Sequence, residues 1–78
     1  MKNITLYTQP DCPPCQIMKM FFKEYNVSYQ EKNIKKDKAA LNELTKKYGS
    51  YSTPTVVIDG KAIIGFEIEE IKKELDLE

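Results

Sequence analysis

The chain has 78 residues, enough for a single domain over 1–78 and too few to bury a large core. Hydrophobic residues make up 41% and charged residues 31%, with only four Pro and three Gly, a globular composition rather than a disordered or collagen-like one. Twelve Lys balance twelve Asp and Glu, so no basic excess points to nucleic acid as a partner.

The absences narrow the chemistry further. There is no His, which removes Ser-His and Cys-His catalysis and His-ligated metal sites from this chain. There is no Arg, so no guanidinium fork is available for phosphate or carboxylate. No apolar run approaches the roughly 18 residues of a membrane span, and residues 1–8 lack the apolar stretch of a signal peptide. A cytoplasmic protein with no membrane partner is expected. Charge is uneven: eight Lys face four acids from Lys19 to Lys47, and six acids face two Lys from Glu67 to Glu78. Two solvated helix faces account for this; a polarised surface that orients a protein partner is the functional alternative.

In chain order, residues 3–8 are β-branched and aromatic and predict a strand that runs into a loop at Gln9, Pro10 and Asp11. A helix begins at Pro13, with Ile17, Met18, Phe21, Phe22 and Tyr25 at helical spacing, and ends at Asn26. Two prolines suit its first turn, where the leading N–H groups have no intrahelical acceptor. Met18, Met20, Phe21 and Phe22 read as core and rim packing, and Tyr7 as a packed strand aromatic. Val27 to Gln30 alternates and predicts a second strand. Asp37 is the N-cap of a helix through Tyr48 that carries Leu41, Leu44 and Tyr48 on one side and stops at Gly49. Thr55 to Ile58 and Ala62 to Ile64 flank Asp59-Gly60, a two-residue hairpin signal. Ile68, Ile71 and Leu75 mark a last helix. The order β-α-β-α-β-β-α predicts an α/β fold. Its first two strands are parallel across a right-handed crossover, and its mixed four-stranded sheet has helices on both faces.

Cys12-Pro13-Pro14-Cys15 is the one reactive constellation, and it holds both cysteines of the chain. It lies where the first strand hands over to the first helix, so Cys12 falls at the N-cap and Cys15 one turn later. A structural disulfide is disfavoured, because so short a loop constrains the unfolded chain little and the cytosol reduces it. Half of a zinc or iron–sulfur site is the other alternative, and a second chain or an outside thiol would have to complete it. Thiol–disulfide exchange fits best. The helix N-terminus favours the Cys12 thiolate, so Cys12 is the expected exposed nucleophile and Cys15 the more buried resolving thiol. Pro13 and Pro14 lack an N–H, which leaves Cys15 as the first backbone donor for that thiolate, and Asp11 opposes the anion if its carboxylate points inward. Thr53-Pro54 precedes a strand: Pro54 either starts that strand as an ordinary loop proline or forms a cis bond that holds Thr53 open to an incoming peptide strand.

These segments together resemble the glutaredoxin and thioredoxin superfamily, the small glutaredoxin-like proteins and NrdH-redoxins above all. The resemblance rests on residues 7–15, 52–60 and 63–66 and covers essentially the whole chain. It implies a thioredoxin fold, a cis Pro54 packed opposite the cysteine pair, and substrate binding by the Thr53 backbone. It also implies dithiol–disulfide exchange. Pro13, Pro14, Thr53, Pro54, Gly65 and Phe66 are the expected substrate-binding residues beside catalytic Cys12 and Cys15, with no metal. Some positions depart from the glutaredoxin pattern. Pro14 stands where Tyr or Phe is usual, Gln9 where Lys is frequent, and Thr53 where Val is usual. Gly65-Phe66-Glu67-Ile68-Glu69 replaces the Gly-Gly-x-Asp-Asp turn that holds glutathione. The expected protein is a monomeric dithiol oxidoreductase that reduces protein disulfides, without a tightly bound cofactor. Glutathione or a thioredoxin-reductase-type protein donates the electrons. A glutathione-dependent glutaredoxin and an iron–sulfur or metal carrier bridging two chains through Cys12 are the alternatives.

Overall fold

The computed structural model describes residues 3–65 and 67–76. Four strands, β1 (Ile4–Thr8), β2 (Gln30–Asn33), β3 (Thr55–Ile58) and β4 (Lys61–Ile64), form one mixed sheet in the order β2-β1-β3-β4. β2 runs parallel to β1, and β3 is antiparallel to both of its neighbours. Helices α1 (Pro13–Glu24) and α3 (Ile68–Leu75) cover one face and α2 (Lys38–Asn42) the other.

Strand alternation sorts the core into these two layers. Ile4, Leu6, Val56, Ile58 and Ile63 meet Met18 and Phe22 of α1 and Ile71 of α3. Tyr7 and Val57 point the other way, onto Ala40 of α2 and Leu44 just beyond it. Asp59 and Gly60 both take positive φ (49° and 89°) and close the β3–β4 hairpin between paired Ile58 and Lys61, the turn that matches strand twist. Asp37 caps α2, its Oδ1 accepting the Ala40 N–H at 3.1 Å. Gly49 ends that helical segment at φ 66°.

Three expectations are corrected. β2 lies three residues later than the alternation of Val27 to Gln30 suggested. Asn26 turns to φ 54° and the Val27 N–H bonds back to the Phe22 carbonyl at 2.8 Å, so Val27 and Tyr29 pack beneath α1 before pairing begins. The ladder starts only where β1 offers partners, Thr5 opposite Gln30, and as an edge strand β2 stays polar. Second, α2 passes without a break into a π-helical turn, Glu43–Lys47. Third, Ile17, Met20 and Leu41 are exposed rather than core residues.

Side-chain networks fix the sheet to the helices. On the α2 face the buried Tyr7 hydroxyl donates to Glu43, which also accepts from Lys32 Nζ at 2.9 Å. On the α1 face Glu31 of β2 accepts from the Thr8 hydroxyl and pairs with Lys19 of α1, both at 2.8 Å.

Candidate active site: a cysteine pair at a helix N-terminus

The antiparallel register of β1 and β3 assembles the site. Tyr7 pairs with Thr55, so the chain leaving β1 and the chain entering β3 emerge at the same end of the sheet. The first continues to the cysteine pair and the second comes from Thr53-Pro54.

Asp11 takes a left-handed conformation (φ 56°), which turns the chain from β1 into α1. Cys12 is the N-cap, with extended backbone, and Pro13 and Pro14 occupy the first two helical positions. Cys12 and Cys15 are disulfide-bonded with their Cα atoms 5.2 Å apart. Cys12 Sγ accepts the Cys15 N–H at 3.2 Å, the donor that the prolines left. Cys15 is fully buried. Cys12 is buried too, at 7% exposure, so the expectation of an exposed Cys12 is corrected: it is only slightly more accessible than Cys15. The end of α1 offers an anion about 0.3–1 kcal/mol. That corresponds to less than one unit in a thiol's titration, so any larger effect has to come from direct hydrogen bonds.

The Thr53–Pro54 bond is cis, as the resemblance implies, and Pro54 is buried. The loop before it is held by hydroxyls. Buried Ser50 Oγ lies 2.9 Å from Thr55 Oγ1, and Thr55 Oγ1 donates to the Ser52 carbonyl at 2.8 Å. Thr53 is thereby presented to the cysteines, its Oγ1 3.6 Å from Cys12 Sγ. Gly65, at the end of β4, donates its N–H to the Pro54 carbonyl at 3.1 Å. Its positive φ of 91° suits a residue without a side chain. Cys12, Cys15, Thr53, Pro54 and Gly65 thus belong to one end of the sheet, with Pro13 and Pro14 exposed on the rim. Phe66 lies outside the described residues.

A groove of about 590 Å³ opens beside Cys12, lined by Asp11, Cys12, Pro13, Gln16 and Ile17. Neither Gln16 nor Ile17 is among the site residues expected from the sequence, where Ile17 counts only toward the apolar helix face, yet both stand one helical turn after Cys12 and Pro13 and share their face. Ile17 is 51% exposed, an apolar wall next to the sulfur rather than a core residue. The sequence carries no signal for the Thr53 hydroxyl, whose partner sulfur is 41 residues away.

Comparison with known proteins agrees with this geometry. The Glutaredoxin family matches residues 4–63. A glutaredoxin-like 8.6 kDa protein of the rubredoxin operon of Clostridium pasteurianum is 31% identical, over 90% of this chain and 93% of its own. Glutaredoxin 3 of Escherichia coli K12 is 34% identical over 83% of this chain and 78% of its own. Among solved structures, a variant of the thioredoxin-like protein BC3987 is 56% identical and superimposes with a TM-score of 0.96, covering 100% of both chains. With its cysteine pair at the start of α1 and its cis-proline opposite, this chain belongs to the glutaredoxin family and has the thioredoxin fold.

Proposed function

We propose that the protein is a dithiol reductant of protein disulfides, with Cys12 as attacking thiol and Cys15 as resolving thiol. The observation that carries this reading is the joining of the two sulfurs across the first turn of α1, with Cys12 the more accessible. In the reduced protein the Cys12 thiolate attacks one sulfur of a substrate disulfide, and the other substrate sulfur leaves and takes up a proton. Cys15 then loses its proton and attacks Cys12 Sγ. The second substrate thiolate departs, two electrons have passed to the substrate, and the 12–15 disulfide remains. The Thr53 backbone makes no backbone hydrogen bond among the described residues, which supports pairing with an extended substrate segment.

A reductase of the thioredoxin-reductase type fits better than glutathione as electron donor. Glutathione carries two carboxylates. Among the described residues the groove beside Cys12 is lined by Asp11 and by no Lys, and exposed Glu67 and Glu69 follow Gly65. The reading places the protein in the reducing cytoplasm.

Two coupled assays test it, each following NADPH consumption. One uses thioredoxin reductase with a disulfide-bonded protein; the other uses glutathione, glutathione reductase and a glutathione mixed disulfide. Turnover in the first that Cys12→Ser abolishes is expected. Fast turnover in the second alone would make the protein a glutathione-dependent glutaredoxin and overturn the choice of donor. No turnover in either would remove the oxidoreductase reading.

A further inference from the structure

A helix N-cap side chain takes hydrogen bonds from the N–H groups two and three positions on. For Cys12 the first of these is Pro14, which has none, and Pro13 before it has none either. The sulfur is left with one backbone donor, Cys15 at 3.2 Å. Asp11 lines the same groove and repels an anion there, and Cys15 is the other titratable group beside it.

The Thr53 hydroxyl lies 3.6 Å from the same sulfur, 41 residues away in sequence. Among the described residues this is the only hydrogen bond that hydroxyl makes. Its neighbours Ser50, Ser52 and Thr55 are instead bonded among themselves, in the arrangement that pins the loop. Thr53 is thus held next to Cys12 with its donor uncommitted elsewhere. A valine at this position would match its shape and supply no donor.

We propose that the Thr53 side chain is the second hydrogen-bond donor to the Cys12 sulfur, replacing the N–H removed by Pro14 and stabilising the thiolate that starts exchange. The proton lost by Cys12 goes to solvent. Thr53 keeps its own proton throughout and donates it to the sulfur, where a negative acceptor strengthens the bond. The role is therefore distinct from the backbone pairing offered to substrate, and it rests on Cys12 being the attacking thiol.

The test compares Thr53→Val, Thr53→Ser and the parent, all reduced and with Cys15→Ser in the background so that one thiol titrates. Thiolate absorbance is followed against pH. At 3.6 Å the bond is long, so it should act with the strength of an ordinary hydrogen bond and move the titration by about half to one unit. Thr53→Val should raise the midpoint by that much, and Thr53→Ser should restore it. Alkylation by iodoacetamide should fall about three- to tenfold in Thr53→Val below the midpoint and become equal to the parent well above it. Equal midpoints for Val and Thr would overturn the proposal. A rate deficit of the same size at every pH would overturn it too, since that marks altered access and not thiolate stability. Neither readout needs a substrate disulfide. If the parent shows no turnover in the coupled assays yet titrates with the Thr53 dependence, the functional reading fails and the hydrogen bond stands.

Discussion

Replacing Tyr7 by Phe should narrow the gap between this protein's stability at neutral pH and at its extremes, because one hydrogen bond supplies part of both limits. Tyr7 is 1% exposed, and its hydroxyl donates to the carboxylate of Glu43. The bond needs a neutral phenol and an ionised acid. Burial, then the bond to Glu43 and its charge, push the Tyr7 titration up from its ordinary value of 10.0. The Tyr7 bond, then Lys32, hold Glu43 below its ordinary 4.5. A raised folded value stabilises fully below the unfolded value and is lost as pH rises past it, so Tyr7 contributes up to about pH 10. A lowered folded value stabilises above the unfolded value and is lost as pH falls, so Glu43 contributes down to about pH 4.5. A hydrogen bond to a charged group is worth about 1.5–3 kcal/mol. Glu43 is one-third exposed and keeps Lys32 at 2.9 Å, so the Phe variant leaves no orphaned acceptor and the loss should sit near 1–2 kcal/mol, an order-of-magnitude figure. For a domain of this size each kcal/mol moves Tm by about 4–8 °C. Urea melts of parent and Tyr7→Phe at pH 4, 7 and 10.5 measure the effect. The difference should be largest at pH 7 and shrink at both ends. A difference constant across pH would mean that the hydroxyl contributes through packing alone and would refute the linkage.

Pro14→Tyr restores an N–H at the second helical position and should lower the Cys12 titration by about half to one unit, read by thiolate absorbance; an unchanged or raised midpoint counts against the donor deficit. Asp37→Ala removes the bond to the Ala40 N–H and should cost about 1 kcal/mol in a urea melt, with Asp37→Asn nearly neutral. Phe22→Ala opens a hole between Phe21, Tyr29 and the fully buried α1 face and should cost about 3–5 kcal/mol, enough to expose the first core cluster to hydrogen exchange at 25 °C. Lys19→Met removes the partner that holds Glu31 below its ordinary range, so the variant should lose less stability than the parent between pH 7 and pH 3.

What the sequence made legible follows from how local each signal is. The Asp37 cap, the Asp59-Gly60 turn and the cap position of Cys12 depend on one to four adjacent residues, and each is where the pattern put it. Strand β2 was misplaced because its position is set from outside. Its residues are polar, and what selects Gln30 to Asn33 is the length of β1 and the pull of Val27 and Tyr29 into the core beneath α1. The π-turn has no composition cue: Glu43 to Lys47 reads as ordinary helix. Periodicity marked Ile17 as apolar but could not say that it is exposed and walls the groove beside Cys12. The cysteine pair was visible from spacing, but the Thr53 hydroxyl was not, since its partner lies 41 residues earlier.

That last contact shows what the sheet register does for the site. Thr53 meets Cys12 because Ile4 pairs with Ile58 and Tyr7 with Thr55, an alignment of the two central strands. A slip of β3 by one residue would translate its leading loop by about 3.3 Å and turn each side chain to the other face. Thr53 Oγ1, now 3.6 Å from the sulfur, would move out of hydrogen-bond range, and Val56 and Ile58 would leave the first core cluster for the second. β3 is buried on both faces, so its pairing with β1 and β4, and not a polar face, is what sets the donor beside the thiol. Val57 carries the comparison furthest: it is buried on the α2 face, and a slip would only carry it to the equally buried face under α1 and α3, so no register relieves a charge placed there. Val57→Lys should therefore unfold the protein, read as loss of the cooperative urea transition, whereas Val57→Ile, which keeps the register, should leave the thiolate midpoint where it is.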